Sequence, residues 1–445
     1  MSHVRLIDRR RLLGLAAASV LTAGTSGPGA VAAEPTADPV PALDRGAHPL
    51  SDLGALARMI GGARVVGLGE ASHSGHEFFT LKHRLFRHLV AAEGFTTFAL
   101  EASWSTGLRL DAYVTRGVGD PEQIMRDEFQ GQYLFWNTQE YLDLIHWMRR
   151  HNLAHPDRPR LRFVGNDLGF PGGAAFDQVA EYVARYRPDL TRAVTASYDA
   201  LRPEATAQAG PWMAGQLYGK SATERKADAD RASFALALLR DEGRPQTTHK
   251  SGRAAHAWAV QNATAIAQTF TGYAFPDEQF PERMRYRDHA MAANTAWWLH
   301  HRGGRILLAS NNGHIAYISD NPAEFPEPAG AVLRRRLGDD YVNIGLTFNE
   351  GTINALPDFT AQQPRTYTVP PAPEGHSEHT LDQVRHRDFS LDLRTAPAAA
   401  RAWLDSARPT RSYGLYWSTE AQAVALGRSY DILVHLHRVE AGRLR

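Results

Sequence analysis

The chain has no cysteine in 445 residues. Disulfides, thiolate nucleophiles and cysteine-ligated zinc are therefore excluded. A cysteine-free chain also suits export, since it needs no redox management. Lysine is almost as scarce: Lys82, Lys220, Lys226 and Lys250 are the only four, and arginine supplies the other 45 basic residues. An excess charge of one sign is missing too. Against 48 acidic residues stand 49 basic ones, a net charge of +1, so no basic face for nucleic acid is implied. No run is long and apolar enough to anchor the chain permanently in a bilayer. What the chain does have is 43% hydrophobic residues, enough for one large domain or two moderate ones.

The first residues read as an address. Arg9, Arg10 and Arg11 precede Leu12, Leu13 and a modest apolar run, and the segment closes on Ala30-Val31-Ala32. That order (charged, apolar, A-x-A) marks a signal peptide, and DRRRLLG resembles a twin-arginine signal. The reading predicts cleavage after Ala32, a flexible lead-in over 33–48, and a secreted or extracytoplasmic protein exported already folded.

After Leu50 strands and helices alternate. Strands are predicted at 64–68, 95–100 and 161–164, with helices at 77–92, 107–114, 121–128 and 138–151. Alternation at this spacing implies right-handed parallel crossovers. From Gly172 onward strand-like runs vanish and long helical patterns take over. The α/β pattern resumes with a helix over 283–301, strands over 305–308 and 341–348, and short elements to 436. Residues 357–377 are proline-rich and read as a surface excursion. The expected fold is α/β, a central, mainly parallel sheet flanked by helices. Residues 49–171 and 283–445 would form a discontinuous catalytic domain, and 172–282 a helical insertion.

Three apolar strands end in polar side chains. RVVGLGEASHSGHE runs into Glu70, His73, His76 and Glu77; TTFALE delivers Glu101; RILLASNNGH delivers Asn311, Asn312 and His314. Strand carboxyl ends are where crevices open in such sheets, so carboxylate–imidazole chemistry is expected there. Glu70 is placed to orient His73 as a general base. The alternative is that Ser74 and Glu77 form a capping box, leaving His73 a loop residue. Glu101 reads as an acid or base perturbed by burial and also as a structural acid paired with arginine, with Arg287 as candidate partner; the two readings are compatible. No serine lies in a G-x-S-x-G elbow, which argues against a serine hydrolase. Gly67-Leu68-Gly69 lacks the rest of a dinucleotide fingerprint. His73, Glu101 and His314 are arithmetically a two-histidine, one-carboxylate set for a divalent metal, without any H-E-x-x-H signature. No cofactor is otherwise expected.

Taken together, VVGLGEASHSGHEFFTLKHRL, GFTTFALEASW, FWNTQEYLDLIHWMRRHN, LRFVGNDLG, RYRDHAMAAN, SNNGHI and LGDDYVNIGLTFNEGT resemble the erythromycin esterase family over nearly all of the chain after the leader. The resemblance implies hydrolysis of a cyclic ester by activated water, without a covalent enzyme intermediate. Matched block by block, the family's G-E-x-x-H acid and general base fall on Glu70 and His73, and its second-strand carboxylate on Glu101. The arginine of its R-D-x-x-M-A-x-N helix falls on Arg287, and Lys82 stands where the esterases often carry arginine.

One departure matters. The family's A-H-N-x-H loop here reads Ser310-Asn311-Asn312-Gly313-His314, so His314 survives and Asn311 replaces a histidine. Asparagine can donate a hydrogen bond to an oxyanion but cannot carry a proton. The expected protein is thus an exported hydrolase acting on an ester or lactone of a hydrophobic natural product. Its catalytic set would be His73, Glu70, Glu101, His314 and Arg287. Asn311, Lys82, Trp104 and His76 are the candidates for substrate contact, with Phe135 and Trp136 as apolar walls. The partner is a small molecule; neither nucleic acid nor a stable membrane anchor is expected. Rival readings are an acid–base tailoring enzyme on the same scaffold and a binding protein whose site has decayed.

Overall fold

Val65–Leu68 consists of apolar residues and one glycine, and such a run is stable as a strand only where both faces are covered. In the computed structural model it lies at the middle of a nine-stranded sheet. The structure describes residues 38–245, 250–358, 361 and 363–445, so the expected leader at 1–32 lies outside the described residues.

In chain order the strands are β1 (His48–Pro49), β2 (Val65–Leu68), β3 (Phe95–Ser103), β4 (Arg162–Asp167), β5 (Arg305–Ala309), β6 (Tyr341–Ala355), β7 (Arg365–Val369), β8 (Phe389–Asp392), β9 (Arg408–Thr410), β10 (Gln422–Val424) and β11 (Ile432–Val439). The large sheet runs β1-β8-β11-β6-β2-β5-β3-β4, with β7 on β6, while β9 and β10 pair separately. From β11 across to β4 every neighbour is parallel; β1, β7 and β8 are antiparallel. The protein is therefore α/β, with a mainly parallel sheet flanked by helices.

Register positions the site. Ala309 of β5 pairs with Leu68 of β2 on one side and Leu100 of β3 on the other, and Leu100 pairs in turn with Gly165 of β4. Four neighbouring strands thus end almost level, and whatever follows each end shares one edge. β3 passes its predicted end by three residues, with a register irregularity between Leu100 and Ser103 that carries Glu101 inward.

The helix His76–Glu93 buries Phe78, Leu81, Lys82, Leu85 and Leu89 on one stripe and ends at Gly94, whose φ of 69° suits a left-handed cap. Between Gly172 and Ala274 the described residues hold helices and no strand. Phe176, Val179, Val183, Ala232, Ala263 and Phe270 form their own apolar cluster there, against which Leu108 packs.

Two expectations need correction. The lead-in is not wholly flexible: Val40–Gly46 is helical, with Leu43 buried beside Phe389, Leu391 and Trp403. Nor is 357–377 only a surface excursion. It contains β7, which pairs with an unpredicted extension of β6 from Gly351 to Ala355.

Candidate active site

Beyond β2 the chain turns through Gly69, where a Cβ would lie 2.1 Å from Asn312 Oδ1, so only glycine lets the two loops meet. That space is filled by protein rather than by a ligand. Glu70 follows, fully buried. Its Oε1 lies 2.9 Å from His73 Nδ1, and its Oε2 accepts from Lys82 Nζ, which is also fully buried. His73 Nε2 has no hydrogen-bond partner among the described residues, and 11% of the side chain is exposed. The Trp136 ring stands edge-on to the imidazole, centroids 4.9 Å apart and planes at 79°, and fixes its tilt. The capping-box alternative fails. The helix is capped by Gly75 without a side-chain bond, Ser74 Oγ accepts from Asn354, and Glu77 Oε2 accepts from the Glu440 amide.

The second group of residues collects around Glu101, which is 3% exposed. Arg287 Nη2 donates to its Oε1 at 2.7 Å, and His314 Nε2 approaches the same oxygen at 3.3 Å. Its Oε2 accepts Ser310 Oγ at 2.7 Å and the Asn311 amide at 3.0 Å. Burial alone would raise this carboxyl's pKa. The His314 and Arg287 cations outweigh burial and hold it well below the ordinary carboxylate range. Both oxygens are doubly engaged, and the pairing of Glu101 with Arg287 that its second sequence reading named is present.

Arg287 also forks onto Asp167, Nε at 3.0 Å from both oxygens and Nη2 at 2.6 Å from Oδ2. Asp167 accepts from Tyr133 Oη at 3.0 Å as well, and burial pushes its pKa up even against Arg287. The next residue on the same helix, Asp288, holds His314 Nδ1 at 2.7 Å. Burial disfavours the imidazolium, but Asp288 and Glu101 dominate and raise the His314 pKa to about 10. His314 Nε2 lies between Arg287 Nη1, at 3.2 Å, and the Glu101 oxygen that Arg287 also engages, at 3.3 Å.

Three of the four proposed substrate contacts, and the proposed wall Phe135, are held by protein partners or core packing. Lys82 is sealed beneath Glu70 and touches no open surface. Trp104 donates to Asn262 Oδ1 at 2.9 Å and packs among Trp258, Trp297 and Trp298. His76 Nδ1 pairs with Glu140 Oε1 at 2.6 Å. Asn311 does border the site, but its amide is engaged: Oδ1 accepts the Gly313 amide at 2.9 Å, and Nδ2 reaches Tyr413 O at 3.4 Å. Phe135 is buried in the main core. Asp167, Asp288, Ser310 and Tyr133 belong to the site and were not among the predicted residues. Asp167, like Glu101, follows closely on an apolar run of its strand, which was the signal available.

Among the described residues no group of three histidines and carboxylates is placed to hold a metal. The proposed set is committed to protein partners, since Asp288 takes His314 Nδ1 and four donors surround Glu101. A cavity of about 450 Å³ lined by Arg45, His48, Arg58 and Asp392 shares no residue with this site. No helix among the described residues is long and apolar enough to cross a membrane.

Comparison with known proteins bears on the family and the fold. The family profile described as erythromycin esterase matches residues 90–439. The erythromycin esterase type II of Escherichia coli is 25% identical over 375 residues, covering 79% of this chain and 87% of that protein. A crystal structure of a Bacillus cereus protein superposes with a TM-score of 0.81 at 28% identity, covering 92% of this chain and 98% of the other. A succinoglycan biosynthesis protein superposes with a TM-score of 0.79 at 27% identity, with the same coverage.

Proposed function

Because the chain belongs to the erythromycin esterase family, we propose that it is a hydrolase in which His73 activates water against an ester or lactone of a hydrophobic natural product. One observation carries the reading: His73 has Nδ1 tied to a buried carboxylate and Nε2 open. A neutral imidazole donating through Nδ1 keeps a lone pair on Nε2, and the ionised Glu70 stabilises the imidazolium that forms. Water gives its proton to Nε2 as its oxygen attacks the carbonyl carbon, and the resulting tetrahedral anion expels the alkoxide. His73 then returns the proton to the departing oxygen.

His314 is better suited to another task than proton donation. A group with a pKa of about 10 stays protonated near neutral pH and is a poor general acid there. It serves as a fixed positive charge that, with Arg287, keeps Glu101 ionised and the floor rigid. Export through the twin-arginine-like leader is part of the proposal and is supported by the Arg9–Arg11 run and the A-x-A segment.

A second reading, an acid–base tailoring reaction without water, is favoured by Asn311, which stands at a family histidine and cannot shuttle a proton. The test assays purified mature protein and His73→Ala on a panel of lactones and simple esters. Hydrolysis abolished by the substitution supports the proposal, and equal turnover in both proteins sinks it. Rearranged product without hydrolysis selects the tailoring reading. Activity lost to chelator and restored by a divalent metal replaces the metal-free mechanism.

A further inference from the structure

His73 lies in a loop bracketed by segments from far along the chain. On its amino side the Tyr413 amide donates to Ala71 O at 2.8 Å; on its carboxyl side the Gly442 amide donates to Ser74 O at 3.0 Å. The second contact belongs to a longer seam. The His76 amide donates to Glu440 O at 2.7 Å, and Gly75 bridges Ala441. Asn354 Nδ2, from β6, donates to both Ser74 Oγ and Gly442 O at 2.9 Å. The seam continues onto the segment that follows Trp136. The Gln139 amide donates to Arg443 O at 3.0 Å, the Arg445 amide to Asn137 O at 2.9 Å, and Thr138 bridges Leu444.

We propose that residues 440–445 are a positioning strap that sets the orientation of His73. The inference rests on His73 being the general base. The strap joins the two segments that determine the imidazole's position, its own loop and the segment carrying the Trp136 ring that stands against it. A base displaced by about 1 Å loses on the order of a hundredfold in rate, so a seam of this kind acts on turnover more than on binding. The fit at its centre is close: a Cβ on Gly442 would stand 3.2 Å from the Phe79 ring and 3.4 Å from Ser74 Oγ.

The test uses the full chain with Gly442→Val, which forces the strap outward, and the milder Asn354→Ala, which deletes both amide bonds. Three quantities are measured: thermal unfolding, 15N NMR signals of the His73 ring, and turnover of p-nitrophenyl acetate and a simple lactone. In the parent protein His73 should show one tautomer, protonated on Nδ1. Both variants should remain folded yet show a mixed or averaged tautomer, with kcat lowered on the order of tenfold to a hundredfold and KM little changed. Unchanged His73 signals in folded Asn354→Ala and Gly442→Val overturn the strap, whatever the turnover. Parent-level turnover in His73→Gln would overturn the base assignment instead, while the NMR result still decides whether the strap orients the ring.

Discussion

Arg287 Nη2 donates to Glu101 Oε1 at 2.7 Å across 186 residues of sequence. The same guanidinium forks onto Asp167, so one planar cation bridges two buried carboxylates from neighbouring strands. A lysine has the charge but not the fork. Arg287→Lys is expected to destabilise the fold by about 3–5 kcal/mol, the cost of stranding buried charge, and to lower turnover. Urea denaturation measures it; parent-like stability would show that the fork is dispensable.

Glu70 and Lys82 form a buried pair that offers a sharper separation of stability from activity. Lys82→Met leaves a buried carboxylate without its cation and should cost about 3–5 kcal/mol. Glu70→Gln strands the lysine and should cost a similar amount, while lowering kcat/KM on the order of a hundredfold or more. The double variant should regain most of the stability and none of the activity. A double variant as unstable as the sum of the single ones would contradict the pairing.

Stability should depend on pH through His314. Its folded pKa, about 10, lies above the ordinary 6.5, so the folded state holds the proton more tightly. That contribution is complete below about 6.5 and disappears as pH rises through about 10. Glu101 behaves oppositely: its pKa is depressed, so its contribution is present above the ordinary 4.5 and is lost only as the medium becomes strongly acidic. The parent should lose stability between pH 7 and 10, and His314→Asn should flatten that limb. An identical alkaline slope in both proteins would argue against a charged His314.

Asn311 borders the site with its amide already committed to Gly313 and Tyr413. If a proton shuttle is what this chain lacks, Asn311→His should raise lactone hydrolysis about tenfold or more, since such groups are typically worth a hundredfold or above. No gain in a folded variant would mean that the histidine's absence does not limit hydrolysis by this chain.

How much of this was legible in the sequence depends on the kind of signal. β2, β3 and β5 were visible because each is an apolar run broken by polar residues; the side chains past β3 and β5 touch one another, while Glu70 and His73 past β2 form a group of their own. Their lateral order was not visible. Nothing local tells β5 to lie between β2 and β3, so the Arg287 fork and the Asp288–His314 contact had no sequence signature beyond family resemblance. Lys82 was misplaced for an avoidable reason. It falls four residues after Phe78 and three before Leu85, on the apolar stripe of its helix, and that phase marks it as buried. Trp104 was judged by its nearness to Glu101 in sequence. It opens a helix, and helical phase turns its ring toward Trp258, Trp297 and Trp298.

The sheet order also constrains how the chain is made. β2 pairs only with β5 and β6, so Val65 finds its partners at Ile306 and Tyr341. During synthesis both flanks of β2 stay bare until more than half the chain has emerged, and β3 lacks β5 for as long. Bare parallel strands pair slowly and are open to pairing with other chains. A chain arrested before Arg305 therefore carries bare edges and an unassembled centre, and the sheet closes only once both β5 and β6 have been made.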